Sequence, residues 1–344
     1  MQFQLQPIDT ESTHDATIAN LWNDACGADL AITERFVRFN LQPATGSIQA
    51  GQLAVQDGQP VGFVIASALP DDPATSPPEV GWIEAVVVLP AFQRRGIGSS
   101  LLTWAEEWLA SQGYTHVRLG GGLHYFTPGL PMESGADSFF RNRGYQSRSE
   151  GEHVWDVARD LSNYQYPGSR AQSTINARPA QAEHAEAVLE FLQREFPGRW
   201  RFEFQEFMRD GGRMSDYVLL WTERGVDGCC RLTFEDSIWP IERFYMRRLL
   251  RPWGQLGSIG ISADCRGKGY GAALLEGGLR HLRDNGVRGC MIDWTSLLNF
   301  YGKFGFEPYR EYAVMIKDLS SALTPNERGL PERGQGHPGV VEAD

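Results

Sequence analysis

The chain has 344 residues, of which 42% are apolar and 22% charged, as is typical of a globular protein long enough for two domains. Its net charge of −11 at pH 7 disfavours a nucleic acid or an anionic membrane surface as the main partner. Its five cysteines show no metal-ligand spacing, and the chain has no signal-peptide pattern and no apolar run of about 18 residues. We therefore expect a cytoplasmic protein without a metal site or a membrane span.

The first half predicts an alternation of strands and helices, taken here in chain order. These are a strand, two helices, a hairpin turning at Asp57-Gly58, a strand, a helix, a strand, a short helix and a closing strand. They lie at residues 3–7, 18–22, 32–37, 52–66, 82–88, 98–111, 116–119, 136–143 and 153–158. Residues 120–131 form an insertion that the second half lacks. We expect 1–161 to form the N-terminal domain and the polar stretch 162–175 to form a linker.

The second half predicts a similar series. It begins with a strand and two helices, and continues with a hairpin, a strand, a long helix, a strand, a short helix and a last strand. These lie at residues 175–178, 185–192, 196–207, 217–234, 256–261, 270–282, 289–293, 297–304 and 312–316. We expect 176–320 to form the C-terminal domain. The tail 321–344 is rich in Pro, Glu, Gly and Arg, and this composition predicts disorder.

Each half contains a glycine-rich turn between a strand and a helix. The turns read Gln93-Arg94-Arg95-Gly96-Ile97-Gly98-Ser99 and Arg266-Gly267-Lys268-Gly269-Tyr270-Gly271-Ala272. Gly96 and Gly269 lie 173 residues apart (269 − 96 = 173), about half the chain, which indicates a duplicated domain. Glycines let the backbone approach a ligand, and the free N–H groups at a helix start favour an anion. The pattern therefore predicts two phosphate-binding turns.

This strand–turn–helix pattern resembles the acyl-CoA-binding signature of the GNAT superfamily of N-acetyltransferases. The resemblance implies two tandem α/β domains of the α+β type, each with a mixed, mostly antiparallel sheet flanked by helices. It also implies that acetyl-CoA binds along the strand and the turn of each half. The implied contacts are Val86, Val87, Val88, Gln93, Arg94, Arg95, Gly96, Ile97, Gly98 and Ser99, and Ile259, Gly260, Ile261, Arg266, Gly267, Lys268, Gly269, Tyr270, Gly271 and Ala272.

A dinucleotide-binding fold is the alternative. Gly267-x-Gly269-x-x-Ala272 satisfies the loose dinucleotide fingerprint, and Asp293 ends a strand at a suitable distance for a ribose contact. Against this, the first copy has no third small residue in register. Hairpins also precede both turns, where a dinucleotide fold would have βαβ repeats.

The segment Asn299-Phe300-Tyr301-Gly302-Lys303-Phe304-Gly305-Phe306 resembles the family's Tyr-x-x-x-Gly-Phe ending. The resemblance implies that Tyr301 is the general acid that protonates the departing thiolate of coenzyme A. A phenol can supply that proton, although the tyrosine could equally be a core residue. The matching position of the first copy is Phe140, which cannot donate.

Glu84 lies on the strand that enters the first turn, where the family often places a general base. It is either a partly desolvated base or an exposed charge at a sheet edge. The matching position of the second copy is Gly257, and Asp293 is the best substitute there because it ends the strand facing the cleft. The first half thus has the base without the acid, and the second has the acid without that base.

The resemblance implies acetyl transfer from acetyl-CoA to a primary amine of a small molecule or peptide by direct attack. We expect the C-terminal half to be the better catalytic candidate. The alternative is a non-catalytic acyl-CoA-binding or scaffold protein with one or both halves inactive. A tandem chain is expected to be either a monomer that forms its own pseudo-dimer or a homodimer.

Overall fold

The computed structural model describes residues 3–8, 14–147, 153–165, 176–240 and 249–320. These residues divide into two compact units. The first unit takes the described residues up to Val154 and those from Glu311 onward, and the second takes those of Trp155–Arg310. The expected tail and most of the expected linker, 166–175, lie outside the described residues.

The described chain contains eight α-helices and fifteen strands. The helices are α1 (Asp15–Cys26), α2 (Glu34–Leu41), α3 (Ile97–Ser111), α4 (Asp137–Arg141), α5 (Ala185–Glu195), α6 (Arg199–Arg209), α7 (Tyr270–Asp284) and α8 (Leu298–Gly302). The strands are β1 (Phe3–Pro7), β2 (Ile48–Gln56), β3 (Gln59–Ala68), β4 (Val80–Val88), β5 (His116–Leu119), β6 (Leu130–Pro131), β7 (Gln146–Ser147), β8 (His153–Asp160), β9 (Asn176–Pro179), β10 (Tyr217–Thr222), β11 (Gly225–Phe234), β12 (Trp253–Ile261), β13 (Gly289–Thr295), β14 (Glu307–Ala313) and β15 (Met315–Asp318).

Each unit is built on one mixed sheet. In the first unit the order is β1-β2-β3-β4-β5-β15-β7, and β4 and β5 form the parallel pair. In the second unit the order is β14-β8-β13-β12-β11-β10-β9, and β12 and β13 form the parallel pair. The fold class predicted from the sequence, two tandem α/β domains with mixed sheets and flanking helices, is confirmed.

The last strands of the two halves differ from the prediction. The strand expected to close the first domain, β8, instead belongs to the second unit, where its residues Trp155–Asp160 pair with β13. The single last strand expected at 312–316 is interrupted at Val314, and the part after it, β15, pairs with β5 in the first unit. Alternating apolar residues predict a strand without naming its partner. The limits 1–161 and 176–320 stay our proposal for the two copies of the duplicated sequence. The last strand of each copy joins the sheet of the other copy.

The long helices that follow the glycine turns cover the sheets. Helix α3 buries Leu101, Ala105 and Leu109 against the first sheet, and α7 buries Leu274, Leu275 and Leu279 against the second. Helices α5 and α6 pack on the other face of the second sheet. Both turns are thereby fixed between a rigid strand and a rigid helix. No helix in the described ranges is long and apolar enough to cross a membrane.

Candidate functional site

Each sheet opens beside its glycine turn. Strand β4 pairs with β5 over Val80–Ile83 and then continues to Val88 paired with β3 only, so that its other edge is open. Strand β12 likewise pairs with β13 over Trp253–Gln255 and continues to Ile261. The separated stretches are those that the sequence predicts as cofactor strands. A strand edge without a neighbouring strand offers backbone N–H and C=O groups to a ligand.

A β-bulge marks the start of each separated stretch. In β4, Ala85 lies opposite Ile65 and Ile83 lies opposite Ala66, so Glu84 is the extra residue. In β12 the register shifts between Gly257 and Gly260, and Ser258 has a φ of 47°. Bulges bend a strand and re-aim its side chains, and they are frequent beside active sites.

The turns require left-handed backbone at two matching positions. Gly96 and Gly269, directly before α3 and α7, have φ of 86° and 83°. Two residues earlier, Arg94 and Gly267 have φ of 59° and 68°. A left-handed arginine costs about 1–2 kcal/mol, so the first turn keeps a cation there at the expense of backbone strain.

A cavity of about 590 Å³ lies between the first cofactor strand and the turn. It is lined by eight of the residues predicted from the sequence: Val86, Val87, Val88, Gln93, Arg94, Gly96, Gly98 and Ser99. Two other predicted residues lie elsewhere. The Ile97 side chain is buried in the core, and the guanidinium of Arg95 lies 5.3 Å from the centre of the Phe92 ring.

The opposite wall of this cavity is α4 with its flanking residues, and sequence reasoning missed it. Ser134, Gly135, Ala136, Ser138, Phe139, Phe140 and Arg143 line it. A side chain on Gly98 would begin 3.5 Å from Phe139, and one on Gly271 would begin 4.0 Å from Phe300. In both units the last glycine of the motif therefore faces an aromatic ring of the short helix. That pairing could have been read from the two aligned motifs.

Glu84 is buried, with 2% of its surface exposed, so the alternative of an exposed edge charge is wrong. The Ser67 hydroxyl donates to Glu84 Oε1 at 2.6 Å, and the Gly122 N–H donates to Oε2 at 3.3 Å. The carboxylate lines a second cavity of about 110 Å³, which shares Val86 and Val87 with the larger one. This volume holds a few water molecules.

The insertion 120–131 closes over Glu84. A Cβ on Gly122 would overlap Glu84 Oε1, at 1.6 Å, so only glycine allows this approach. Phe126 in the same segment is fully buried and packs its ring on Trp22 and Phe36, at 5.3 and 5.6 Å between centroids. The insertion leaves a small, mostly apolar space beside the carboxylate.

In the second unit a different carboxylate reaches the opening. A Cβ placed on Gly257 would lie 3.9 Å from Asp293 Oδ1, so Asp293 on β13 lies beside the glycine that matches Glu84. The 173-residue offset also matches Asp293 with Gly120. A Cβ on Gly120 would lie 2.4 Å from the Thr127 carbonyl oxygen, which excludes a side chain there. The carboxylate and the glycine have therefore exchanged strands between the two units.

Tyr301 lies on α8 within the second core, 3% exposed, in edge contact with the rings of Phe300 and Phe306. Burial raises the pKa of its hydroxyl well above 10, the negative charge of Asp293 raises this pKa further, and the Thr295 side chain opposes the shift. The phenol is therefore protonated at neutral pH. Tyr301 lies on α8, the helix that follows the strand carrying Asp293.

Asp156, which sequence reasoning missed, holds the backbone beside Asp293. Strand β13 bulges between Ile292 and Thr295, and Trp294 in this bulge has a φ of 51°. The Trp294 N–H donates to Asp156 Oδ1 at 3.2 Å, and Asp156 is 1% exposed. Since Asp156 comes from β8, the exchanged strand helps to shape the second site.

The remaining predicted contacts of the second unit have mixed environments. Gly260 faces Phe196 and Trp200, whose ring atoms lie 2.5 Å from the place of a Cβ. Ile259, Tyr270 and Ala272 pack partly buried against the core, and Lys268 Nζ donates to the Asp264 carbonyl at 2.7 Å. Within the described ranges, no three His, Cys, Asp or Glu side chains gather as a metal site.

Comparison with known proteins agrees with this geometry. The model of the acetyltransferase (GNAT) family matches residues 16–124 and 185–306, one region in each half. A mycothiol acetyltransferase of Nocardia farcinica (strain IFM 10152) is 38% identical over 61 residues, which cover 17% of this chain and 20% of that protein.

Solved structures share the tandem architecture. A glucosamine N-acetyltransferase region of a fungal multi-domain GH3 β-N-acetylglucosaminidase superimposes with a TM-score of 0.79 at 23% identity, covering 92% of this chain and 38% of that one. A tandem GNAT protein of the clavulanic acid biosynthesis pathway superimposes with a TM-score of 0.64 at 15% identity, covering 93% and 99%. At these identities the likeness concerns the fold.

Proposed function

Because the chain belongs to the GNAT family of acetyltransferases, we propose that it transfers the acetyl group of acetyl-CoA to a primary amine, and that the second unit performs this reaction. The observation that carries the proposal is the approach of Asp293 to Gly257 where β12 and β13 separate. A carboxylate at this opening supplies a base, and Tyr301 on the helix that follows β13 is our candidate for the acid.

Acetyl-CoA would supply an activated thioester carbonyl. Along the separated part of β12, backbone N–H groups can donate to the oxygen on which negative charge develops. Asp293 would take a proton from the substrate ammonium, directly or through water, and the amine so formed would attack the thioester carbonyl carbon. As the carbon–sulfur bond breaks, Tyr301 would give its hydroxyl proton to the sulfur, and the nitrogen would lose its second proton to the tyrosinate or to water.

The first unit suits binding without transfer, the alternative function for that half. Its cavity of about 590 Å³ has a strand edge, a glycine turn and Arg94 to receive the nucleotide end of coenzyme A. Its carboxylate is buried beside a cavity of only about 110 Å³, and Phe140 stands where the second unit has Tyr301. We therefore propose that the first unit holds acyl-CoA and does not turn it over.

The acceptor belongs to the proposal as well. Glucosamine is the first amine to test, since the fungal neighbour is described as a glucosamine N-acetyltransferase. Release of free coenzyme A should depend on the amine. If coenzyme A is released at the same rate with and without each amine, the enzymatic function is overturned and an acyl-CoA-binding protein is favoured.

Blocking one cleft at a time assigns the chemistry. Gly98→Glu and Gly271→Glu both fit the backbone, since a Cβ at either position meets only ordinary contacts, and both carry a negative side chain into a cleft. We expect Gly271→Glu to abolish turnover and Gly98→Glu to leave turnover unchanged. Calorimetry with acetyl-CoA should show a separate site lost in each variant, and the reverse assignment of turnover would place catalysis in the first unit.

A further inference from the structure

Arg143 is held at the wall of the first cleft by contacts with α4 and with α3. Its guanidinium lies 3.7 Å from the centre of the Phe139 ring. Nη1 donates to the Phe139 carbonyl at 2.8 Å, and Nη2 donates to Ser99 Oγ in the first turns of α3. All three residues line the cavity of about 590 Å³. The charge is thus held in place within the proposed coenzyme cleft.

The cleft carries positive charge that no carboxylate balances. Within the part of the chain that the structure describes, neither Arg143 nor Arg94 forms an ion pair. By contrast, Arg141 on the same short helix pairs with Asp137 at 2.7 Å, outside the cavity lining. Two guanidinium groups that line one cavity, one of them held in place, favour an anionic ligand there in a protein of net charge −11.

The second unit lacks this arrangement. Aligning Gly144 with Gly305 places Phe304 at the position of Arg143, and Phe304 is buried in the core. The turn alignment places Ala272 at Ser99 and Gly267 at Arg94. Each of these three groups is therefore replaced by an apolar residue or a glycine, whereas Gln93 of the first cleft is matched by Arg266.

We propose that Arg143, supported by Ser99 and acting with Arg94, binds the pyrophosphate of coenzyme A in the first unit. The proposal rests on the proposed function, because it assumes that both clefts receive acyl-CoA. Guanidinium groups bind phosphate oxygens through charge-assisted hydrogen bonds.

The test uses the full chain carrying Gly271→Glu, so that only ligand binding at the first cleft is measured. Calorimetry with coenzyme A, dephospho-coenzyme A and pantetheine is compared for this protein and for its Arg143→Gln, Arg143→Lys and Arg141→Gln derivatives. We expect Arg143→Gln to weaken both pyrophosphate ligands about tenfold or more and to leave pantetheine unchanged. Arg143→Lys should recover part of the loss, and Arg141→Gln should bind as the parent does.

Four outcomes would count against the proposal. Equal affinity of Arg143→Gln and its parent overturns it while leaving the proposed function intact. An equal loss for pantetheine assigns Arg143 to packing, and a loss confined to coenzyme A assigns it to the ribose 3′-phosphate. No binding of any ligand by the wild-type chain overturns the proposed function itself. Circular dichroism of each variant verifies that it folds.

Discussion

Asp293 Oδ1 lies 3.9 Å from the position that a Cβ of Gly257 would take, so the carboxylate of one strand fills the place left by the missing side chain of its neighbour. The first unit has the opposite arrangement, with Glu84 on the cofactor strand and Gly120 on its neighbour. The two carboxylates differ in exposure, because Glu84 is buried under the insertion whereas Asp293 is only half-buried. We therefore expect a catalytic role for Asp293 and a structural role for Glu84.

Asp293→Asn and Glu84→Gln should therefore have different effects. Removing the proposed base should lower kcat by about 10²-fold or more, with stability nearly unchanged. Glu84→Gln should leave kcat as it is and lower the free energy of unfolding by about 1–3 kcal/mol, because a buried acceptor of two hydrogen bonds is altered. Steady-state kinetics and urea titrations measure both. Loss of turnover in Glu84→Gln at full stability would move the chemistry to the first unit.

Asp156→Asn tests whether the bulge of β13 positions Asp293. Asparagine keeps an oxygen for the Trp294 N–H, whereas Asp156→Ala removes the acceptor and leaves a strained backbone at Trp294 without its partner. We expect kcat to fall more in Asp156→Ala than in Asp156→Asn, with affinity for acetyl-CoA retained. Asp160→Asn, at the exposed end of the same strand, is the matched control. Equal kcat in all three variants would remove the positioning role.

The exchanged strands predict that neither half is complete alone. Residues 1–161 carry β8 but lack β15, and 162–344 carry β15 but lack β8. Each half expressed alone should show incomplete sheet formation and exposed apolar surface, and co-expression should restore a 1:1 complex. Calorimetric melting and dye binding measure this. A half that melts cooperatively at the temperature of the full chain would contradict it.

What the sequence predicted and what it missed have separate physical causes. The hairpins, β5, α3 and both glycine turns follow from local patterns: alternation, helical periodicity and a required left-handed backbone. The partner of β8, the closure over Glu84 and the role of Asp156 depend on contacts between residues distant in sequence. Arg143 stood beside a recognised motif, and its contrast with Phe304 became meaningful only when the cavity was seen. Cytoplasmic location and oligomeric state stay predictions.

Alkaline pH should destabilise the protein through its buried tyrosines. Burial raises the pKa of Tyr145, Tyr217 and Tyr301 above 10 in the folded state. Above pH 10 the unfolded chain therefore binds fewer protons than the folded one, so stability is full below pH 10 and falls as the pH rises toward the folded pKa values. Each tyrosine contributes a slope of about 1.4 kcal/mol per pH unit in that window. Urea titrations at pH 8 to 11 should show a smaller slope in Tyr301→Phe, and identical slopes would exclude its contribution.

Arg94→Gly should separate stability from binding. Arg94 has a φ of 59°, and the matching residue of the second turn, with a φ of 68°, is already glycine. Glycine relieves the left-handed strain of about 1–2 kcal/mol and costs about 0.5–1 kcal/mol in backbone entropy, so stability should hold or rise by up to about 1.5 kcal/mol. Affinity for coenzyme A at the first cleft should fall at the same time, because a cation is removed from its wall. The converse variant, Gly267→Arg, should destabilise the second turn by a similar amount. Unchanged affinity in Arg94→Gly would mean that the arginine is held in its strained conformation for a reason other than the ligand.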